Sequence, residues 1–401
     1  MAKTKIVILG AGYAGLRTLK QVQKEHLDAE ITIVNKNESH YEATYLHEVA
    51  SGANSPEKIS FPIMSVVDQK QTNFIQDTVV MVNKDEKTVE LAKNGTIEFD
   101  YLVFALGFES ESFGITGVDE FALPMVDIPT AVKVREHMHA QFAKYNETKD
   151  ETLLSIVVCG AGFTSIEYLG ELTQQMPKLV KEYNLPADKI SITCIEAMPT
   201  LLPMFVEKLS TYGIQKLKDR GVKFLVGTPI KEVTPEAVVY QENDELKEVK
   251  AKTIVWTTGV KGSSLVGKSG FEERRGRVMV AEDLTAPGYP TIFIIGDCSA
   301  VMDKTCDRPF PTTAQIALKQ ADNVAKNLAA KIKNQPIVPF TFKSQGSVCS
   351  IGNNEAIGEV MGHNLKGYPA SMMKKVIENK SLMTTGGMKV MFEKGRFDLY
   401  H

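Results

Sequence analysis

An α/β protein of two doubly wound units, each a parallel sheet flanked by helices, is what the sequence predicts. Three observations carry that expectation. A strand, glycine turn and helix open the chain, at Ile6-Val-Ile-Leu9 followed by Gly10-Ala-Gly12-Tyr-Ala-Gly15. The pattern returns 150 residues later, at Leu154-Ser-Ile-Val-Val-Cys159 followed by Gly160-Ala-Gly162-Phe-Thr-Ser165. Each unit also closes with an apolar strand running into glycine, Tyr101-Leu-Val-Phe-Ala-Leu-Gly107 and Thr253-Ile-Val-Trp-Thr-Thr-Gly259. The duplication predicts residues 1–113 and 263–330 as one unit, 114–262 as a second inserted into it, and 331–401 as a C-terminal region of different character.

A chain of 401 residues is long enough for two or three full cores. Its 43% hydrophobic and 24% charged content is that of a globular protein, and a net charge of −3 gives nucleic acid no basic footprint. The first strand starts without a preceding basic and apolar leader, so no signal peptide is expected. No window reaches the length of uncharged apolar sequence that would span a membrane. Five cysteines, Cys159, Cys194, Cys298, Cys306 and Cys349, form no C-x-x-C pair and are too few and odd for a secreted disulfide framework. The histidines and cysteines never cluster at ligand spacing along the chain, so no metal site is expected.

In the opening unit Gly10 allows a tight turn, Gly12 leaves room for a pyrophosphate, and Gly15 lets helix and strand pack closely. The N–H groups and dipole of that helix attract phosphates. The next strand, Ile31-Thr-Ile-Val-Asn35-Lys36, ends without the usual acid. Asn35 can still hydrogen-bond a ribose hydroxyl; Lys36 meets either a phosphate or solvent. In Ser39-His-Tyr-Glu-Ala-Thr44-Tyr-Leu-His47 no redox cysteine occurs; Thr44 and His47 either approach a flavin, or Ser39 or Thr44 caps a helix. Alternating apolar residues around Thr78–Val82 predict sheet edges beside this unit. Glycine and proline mark 114–129 as a linker, and Pro129–Glu147 as a polar helix.

The second unit's strand Ile190-Ser-Ile-Thr-Cys-Ile195-Glu196 does end in an acid. Glu196 suits a ribose diol and repels a 2′-phosphate, which favours NADH over NADPH. Two glycine turns therefore imply two nucleotides. The chain then returns to the first unit at Thr291-Ile-Phe-Ile-Ile-Gly296-Asp297, which places a carboxylate where a ribityl hydroxyl can be held. Thr312 or Thr313 caps the following helix, whose N-terminus offers positive potential to an anionic reduced flavin. In the tail, Met372, Met373, Val376 and Ile377 share one helical face, with Lys374, Lys375, Glu378 and Lys380 elsewhere. A second stretch, Leu382 to Phe397, is broken by Gly386 and Gly387. Such cationic amphipathic segments lie in a membrane interface or pack on the protein itself or a second subunit.

Taken together, the paired turns, Ala105-Leu-Gly107, Gly296-Asp297, His40-Tyr-Glu-Ala-Thr44, Pro311-Thr-Thr-Ala-Gln-Ile-Ala317 and the tail make the whole chain resemble the type II NADH:quinone oxidoreductases, single-subunit flavoproteins of bacterial membranes. The resemblance implies two Rossmann-like domains of the glutathione-reductase-like type plus a C-terminal amphipathic membrane-attachment region. It implies one non-covalent FAD per subunit, on Gly10, Ala11, Gly12, Tyr13, Ala14, Asn35, Lys36, Val79, Asp297, Ala314 and Lys374. NADH would sit on Gly160, Gly162, Glu196 and Gly259, and quinone on Gln315, Lys319 and Ile377. Glu167 resembles the family glutamate between nicotinamide, flavin and quinone, relaying protons or tuning the site, with Glu171 one turn on left solvated or paired. A homodimer on the cytoplasmic face of the cell membrane is implied, passing two electrons from NADH to quinone without pumping protons. One departure stands out: the family's Ala-Gln-x-Ala-x-Gln reads Ala314-Gln-Ile-Ala-Leu-Lys319 here, replacing an amide by a cation that only donates. A sulfide:quinone oxidoreductase, which needs reactive thiols where Cys159 and Cys349 lie, and a soluble flavin NADH oxidase are the rival readings.

Overall fold

The structure, a computed structural model, describes residues 3–397. Two separate parallel sheets form its frame. The first holds strands in the order 285–286, 289–294, 101–104, 4–9, 29–35 and 72–76, all parallel except the short 285–286 edge. The second runs 123–124, 253–256, 155–159, 191–196 and 222–226, entirely parallel. In both, the strand that feeds a glycine turn lies between the strand leaving its helix and the strand that ends in glycine. Thr4 pairs with Ala29 and Ile6 with Tyr101; Ser155 pairs with Ser191 and Ile156 with Thr253. A crevice opens at such a point beyond the carboxyl ends of the strands, where open α/β sheets take ligands.

These central strands are apolar on both faces because helices cover both. Ile6, Ile8, Leu16, Leu19 and Val22 are wholly buried between strand 4–9, helix Tyr13–Lys24 and helix Ala314–Ile332. On the second sheet, helix Ile128–Thr148 buries Ala131, Val134, Met138, Phe142 and Tyr145. It opens on a reciprocal cap: Asp127 accepts from the Thr130 N–H at 3.0 Å while Thr130 Oγ1 accepts from the Asp127 N–H. The segment expected as a linker holds a short helix, Val118–Phe121, and the edge strand 123–124. The alternating residues near Val79 form a three-stranded meander, 79–83, 88–91 and 95–98. The chain ends on a second meander, 346–350, 356–360 and 363–367, then helices Tyr368–Thr385 and Met388–Lys394, separated at Gly386 and Gly387.

The tail departs from a simple amphipathic helix packed on a core. Val376, Ile377 and Met383 are 56, 41 and 45% exposed, whereas Lys375 and Glu378 are each 5% exposed. Lys375 and Glu378 thus face the protein together with Ala370 and Leu382, while Val376, Ile377 and Met383 face out beside the exposed Lys380. Among the described residues no helix is long and apolar enough to cross a membrane.

Candidate functional site

The first glycine turn is built as its sequence requires. Gly10 has φ +89°, and a Cβ there would stand 2.4 Å from the Ala105 carbonyl oxygen. A Cβ on Gly15 would stand 1.9 Å from the Gly10 oxygen, so helix and turn touch backbone to backbone. Gly12 differs: nothing lies within 4 Å of its Cβ position, so the space it keeps free belongs to no part of the protein. Asn35 reaches back and accepts from the Ala11 N–H at 3.0 Å, while Lys36 pairs with Asp127 at 3.1 Å. Tyr13 donates to Glu42 at 2.9 Å, and Glu42 also accepts from Ser381 and Thr385, tying the turn to the tail helix. Thr44 contacts Tyr13 at 3.1 Å and, like Ser39, caps no helix.

Gly296 completes the cradle: its Cβ position lies 3.3 Å from the Ala14 side chain, and its N–H donates to Gln320 at 2.7 Å. Beside it, burial pushes the Asp297 carboxyl up to about 6, against the opposing pull of Arg277 and a Thr312 hydrogen bond. Hydroxyl donors would stabilise its carboxylate. Thr313 caps the adjoining helix at Ile316, leaving the first turn at Ala314 beside a small cleft of about 10 Å³ lined by Gly296, Thr312 and Thr313. An open glycine turn, a helix N-terminus and a dehydrated carboxyl fit the pyrophosphate and ribityl groups of a flavin dinucleotide. Val79 stands half-buried at the start of its meander.

The second turn repeats the first. Gly160 has φ +94°, Gly162 has open space at its Cβ, and Glu196 accepts from the Ala161 N–H at 2.7 Å, as Asn35 does from Ala11. Its other oxygen accepts from the Met198 N–H. Ser165, in the third-glycine position, bonds Thr257 at 2.8 Å. Gly259 lies against the Phe113 ring, with a Cβ position 3.2 Å from it.

Between the two turns, helix Phe163–Tyr183 carries Glu167 inward. Its carboxylate accepts from Lys374 at 2.7 Å and from the Ser350 N–H at 3.1 Å, with His47 Nδ1 at 3.7 Å. Burial alone would raise its pKa, but Lys374 and His47 outweigh that and hold it below the ordinary value. Lys374 is correspondingly held up: burial opposes its charge, and Glu167 and Glu378 restore it. Glu171, expected solvated or paired, is largely buried and opens only on a small cleft. It is 7% exposed, and among the described residues it has no hydrogen-bond or ion-pair partner. Burial and the nearby Glu167 charge push it up to about 7. Ligand-capable atoms of His47, Glu48 and Glu171 lie within 4.8 Å of one another, which chain spacing gave no sign of. Arg396 already supplies the positive charge there, bonded to Glu48, whose other oxygen takes Asn54.

Of the quinone residues expected, Gln315 bonds the Gln345 N–H at 2.9 Å and Ile377 faces outward on the tail helix. Lys319 is exposed, while the neighbouring Gln320 is 1% exposed and holds both Gly296 and Ser299. Glu42, Glu378 and Arg396 were not singled out as site residues, because their partners lie far away in sequence or on the tail, and His47, weighed as a flavin neighbour, stands beside Glu167 and Glu48. The Cys159 and Cys349 thiols are buried and pushed well up by burial, hence inert.

The model of the pyridine nucleotide-disulphide oxidoreductase family matches residues 4–321. The type II NADH:quinone oxidoreductases of Staphylococcus saprophyticus and Staphylococcus aureus are each 42% identical over 399 residues, covering 98% of this chain and 99% of theirs. The chain belongs to the type II NADH:quinone oxidoreductases. It is an enzyme of that family on the two-dinucleotide fold. In three dimensions this oxidoreductase matches NDH2 from Plasmodium falciparum, solved in complex with NADH, with TM-score 0.86 at 20% identity, covering 98% of this chain and 97% of that one. It also matches the sulfide:quinone oxidoreductase of Aquifex aeolicus, TM-score 0.78 at 20% identity, over 96% and 92% of the two chains.

Proposed function

We propose that the enzyme passes two electrons from NADH through FAD to a membrane quinone of the menaquinone type, without pumping protons. It works as a homodimer lying on the cytoplasmic face of the membrane. FAD occupies the first turn, on Gly10 to Ala14 with Asn35, Lys36, Val79, Asp297, Ala314 and Lys374; NADH occupies the second, on Gly160, Gly162, Glu196 and Gly259. Residues 1–113 and 263–330 thus make the FAD domain, 114–262 the NADH domain and 331–401 the quinone and membrane region. Quinone arrives along the outward face of the tail, past Ile377, toward Gln315 and the ammonium of Lys319, which can donate but not accept.

The position of Glu167 carries this reading. Its helix begins at the second glycine turn, and its carboxylate is held by Lys374 on a helix whose opposite face is apolar and exposed. Bound FAD supplies the two-electron chemistry, taking hydride from NADH and returning electrons to quinone. The protein's part is to orient both substrates, to exclude water and to move protons. Glu167 and Lys374 form a hydrogen-bonded acid–base pair that exchanges a proton with the quinone oxygen. The inert thiols of Cys159 and Cys349 remove the nucleophiles that sulfide oxidation requires.

An anaerobic titration tests the reading. NADH alone should bleach the flavin, and a menaquinone analogue should restore its colour faster than a ubiquinone analogue. Bleaching by sulfide and not by NADH would overturn it.

A further inference from the structure

Reduction of a quinone to a quinol consumes two electrons and two protons, of which NADH brings both electrons and one proton as hydride. One proton per turnover must come from water. Glu167 itself is 5% exposed, held by Lys374 and Ser350, with His47 alongside. His47 connects it to two further acids. The imidazole points Nδ1 at Glu167, 3.7 Å away, and Nε2 at Glu48, 3.8 Å away. Glu171 approaches that same cluster within 4.8 Å. Burial lowers His47 to about 4, so the ring is neutral, with one N–H and one lone pair. It can accept a proton on one nitrogen while releasing one from the other.

Glu171 also lines a cleft of about 10 Å³, the size of one water, together with Ser350, Asn353, Ser371 and Glu378. Asn353, at its rim, is exposed. A buried carboxyl with no partner among the described residues, beside such a cleft, has no structural duty that a hydrocarbon would not perform better. We propose that Glu171 is the proton-intake residue of the enzyme, collecting a proton from water in this cleft and passing it through His47 to Glu167. The separation of Glu171 and His47 exceeds hydrogen-bond length, so water bridges the transfer: the O–H bond of Glu171 breaks as one forms on a bridging water, which gives up another proton to form an N–H on His47. The N–H on the other nitrogen breaks as an O–H forms on the Glu167 carboxylate, which hands that proton on to the reduced quinone oxygen. Glu171 then recovers a proton from the cleft water, and before the next passage His47 regains its starting tautomer by proton exchange with water, the new N–H breaking as one re-forms on the other nitrogen. No electrons move and no charge is created overall.

The charges that face Glu171 set its readiness. Glu167, on its own helix, raises its proton affinity and Arg220 lowers it. His47 and Glu48 face it from helix Leu46–Ser51, Lys374, Lys375 and Glu378 from the tail helix and Arg396 from the chain beyond, while Cys349 stands by Glu167 and Lys374, and Glu355 pairs with Arg220. Glu378 is likewise pushed up to about 7, by burial first. The cluster thus keeps one of its acids protonated near neutrality.

The inference rests on Glu167 serving the quinone, and half-reaction kinetics separate the two. In Glu171→Gln, stopped-flow reduction of the flavin by NADH should keep its wild-type rate. Reoxidation by quinone should slow by roughly tenfold or more above neutral pH and lose its inflection near pH 7. Glu171→Asp should restore much of the rate. A protonated-carboxyl infrared band titrating near pH 7 should be present in wild type and missing in Glu171→Gln, independent of turnover. Retention of flavin certifies folding, and Glu171→Asp stands in should Glu171→Gln fail to fold. If Glu167→Gln slows reoxidation while Glu171→Gln keeps the wild-type rate and pH profile, the intake role is wrong. If Glu167→Gln leaves reoxidation untouched, the reading of Glu167 falls as well.

Discussion

Lys374 and Glu167 are the clearest case of a charge kept only because its partner is present. Removing one member of a buried pair strands the other, at a cost of about 3–5 kcal/mol. Lys374→Met should therefore lower unfolding free energy by about that amount at pH 8, measured by denaturant titration. The sign with pH follows from linkage. In wild type, Glu167 is depressed, so its contribution is present above the unfolded carboxyl value and lost as pH falls through the folded one. In Lys374→Met, burial raises Glu167 instead, so the deficit should shrink as pH falls. A deficit that grows on acidification would refute this account. Glu171 titrates the other way: its folded value of about 7 exceeds the unfolded one, so wild type loses stability as pH rises through that window. Glu171→Gln should be the more stable protein at pH 8, by on the order of 3 kcal/mol, and the difference should vanish near pH 4.

The glycine turns separate structural need from ligand need within one element. Gly10→Ala puts a Cβ into the Ala105 carbonyl at a positive φ and should lower the melting temperature markedly, since the backbone conformation alone costs about 1–3 kcal/mol. Gly12→Val meets no protein atom, so the apoprotein should melt as wild type does while FAD retention is lost. Gly162→Val should likewise spare folding and flavin and raise the KM for NADH. The tail helix permits a matching separation. Ile377→Glu, on its outward face, should weaken sedimentation with anionic lipid vesicles by about tenfold or more, because burying one such side chain is worth about 1.5–3 kcal/mol. Flavin bleaching by NADH should be unchanged, and vesicle binding equal to wild type would dismiss the membrane role of this face.

Across the whole molecule, what was readable in the sequence was what is local. Both turns, the strands around them, the capped helix at Thr313 and the Gly296-Asp297 ending announce themselves through neighbouring residues, and short-range backbone geometry decides them. The second sheet's insertion into the first followed from the duplication. Illegible was everything set by distant pairing. Glu171 looked like any helix-surface glutamate because its enclosure depends on His47, Lys374 and Arg396 from three other segments. The tail's periodicity located its apolar face but not the direction in which that face points, since a charged face turned inward needs buried partners that only the fold supplies. Asn35 looked like a defective fingerprint, yet it fills the same place on Ala11 that Glu196 fills on Ala161.

The reversed tail helix has a kinetic corollary. Because Glu42, Glu48 and Glu167 clamp its inner side through Thr385, Arg396 and Lys374, the helix is already ordered before any bilayer is met. If the outward face docks on a bilayer as proposed, adsorption needs no coil-to-helix transition and forfeits little conformational entropy, so docking would be a rigid-body collision. The immersion depth would then be set by the protein's own shape, fixing the height of Glu167 above the acyl chains whatever the thickness of the membrane beneath.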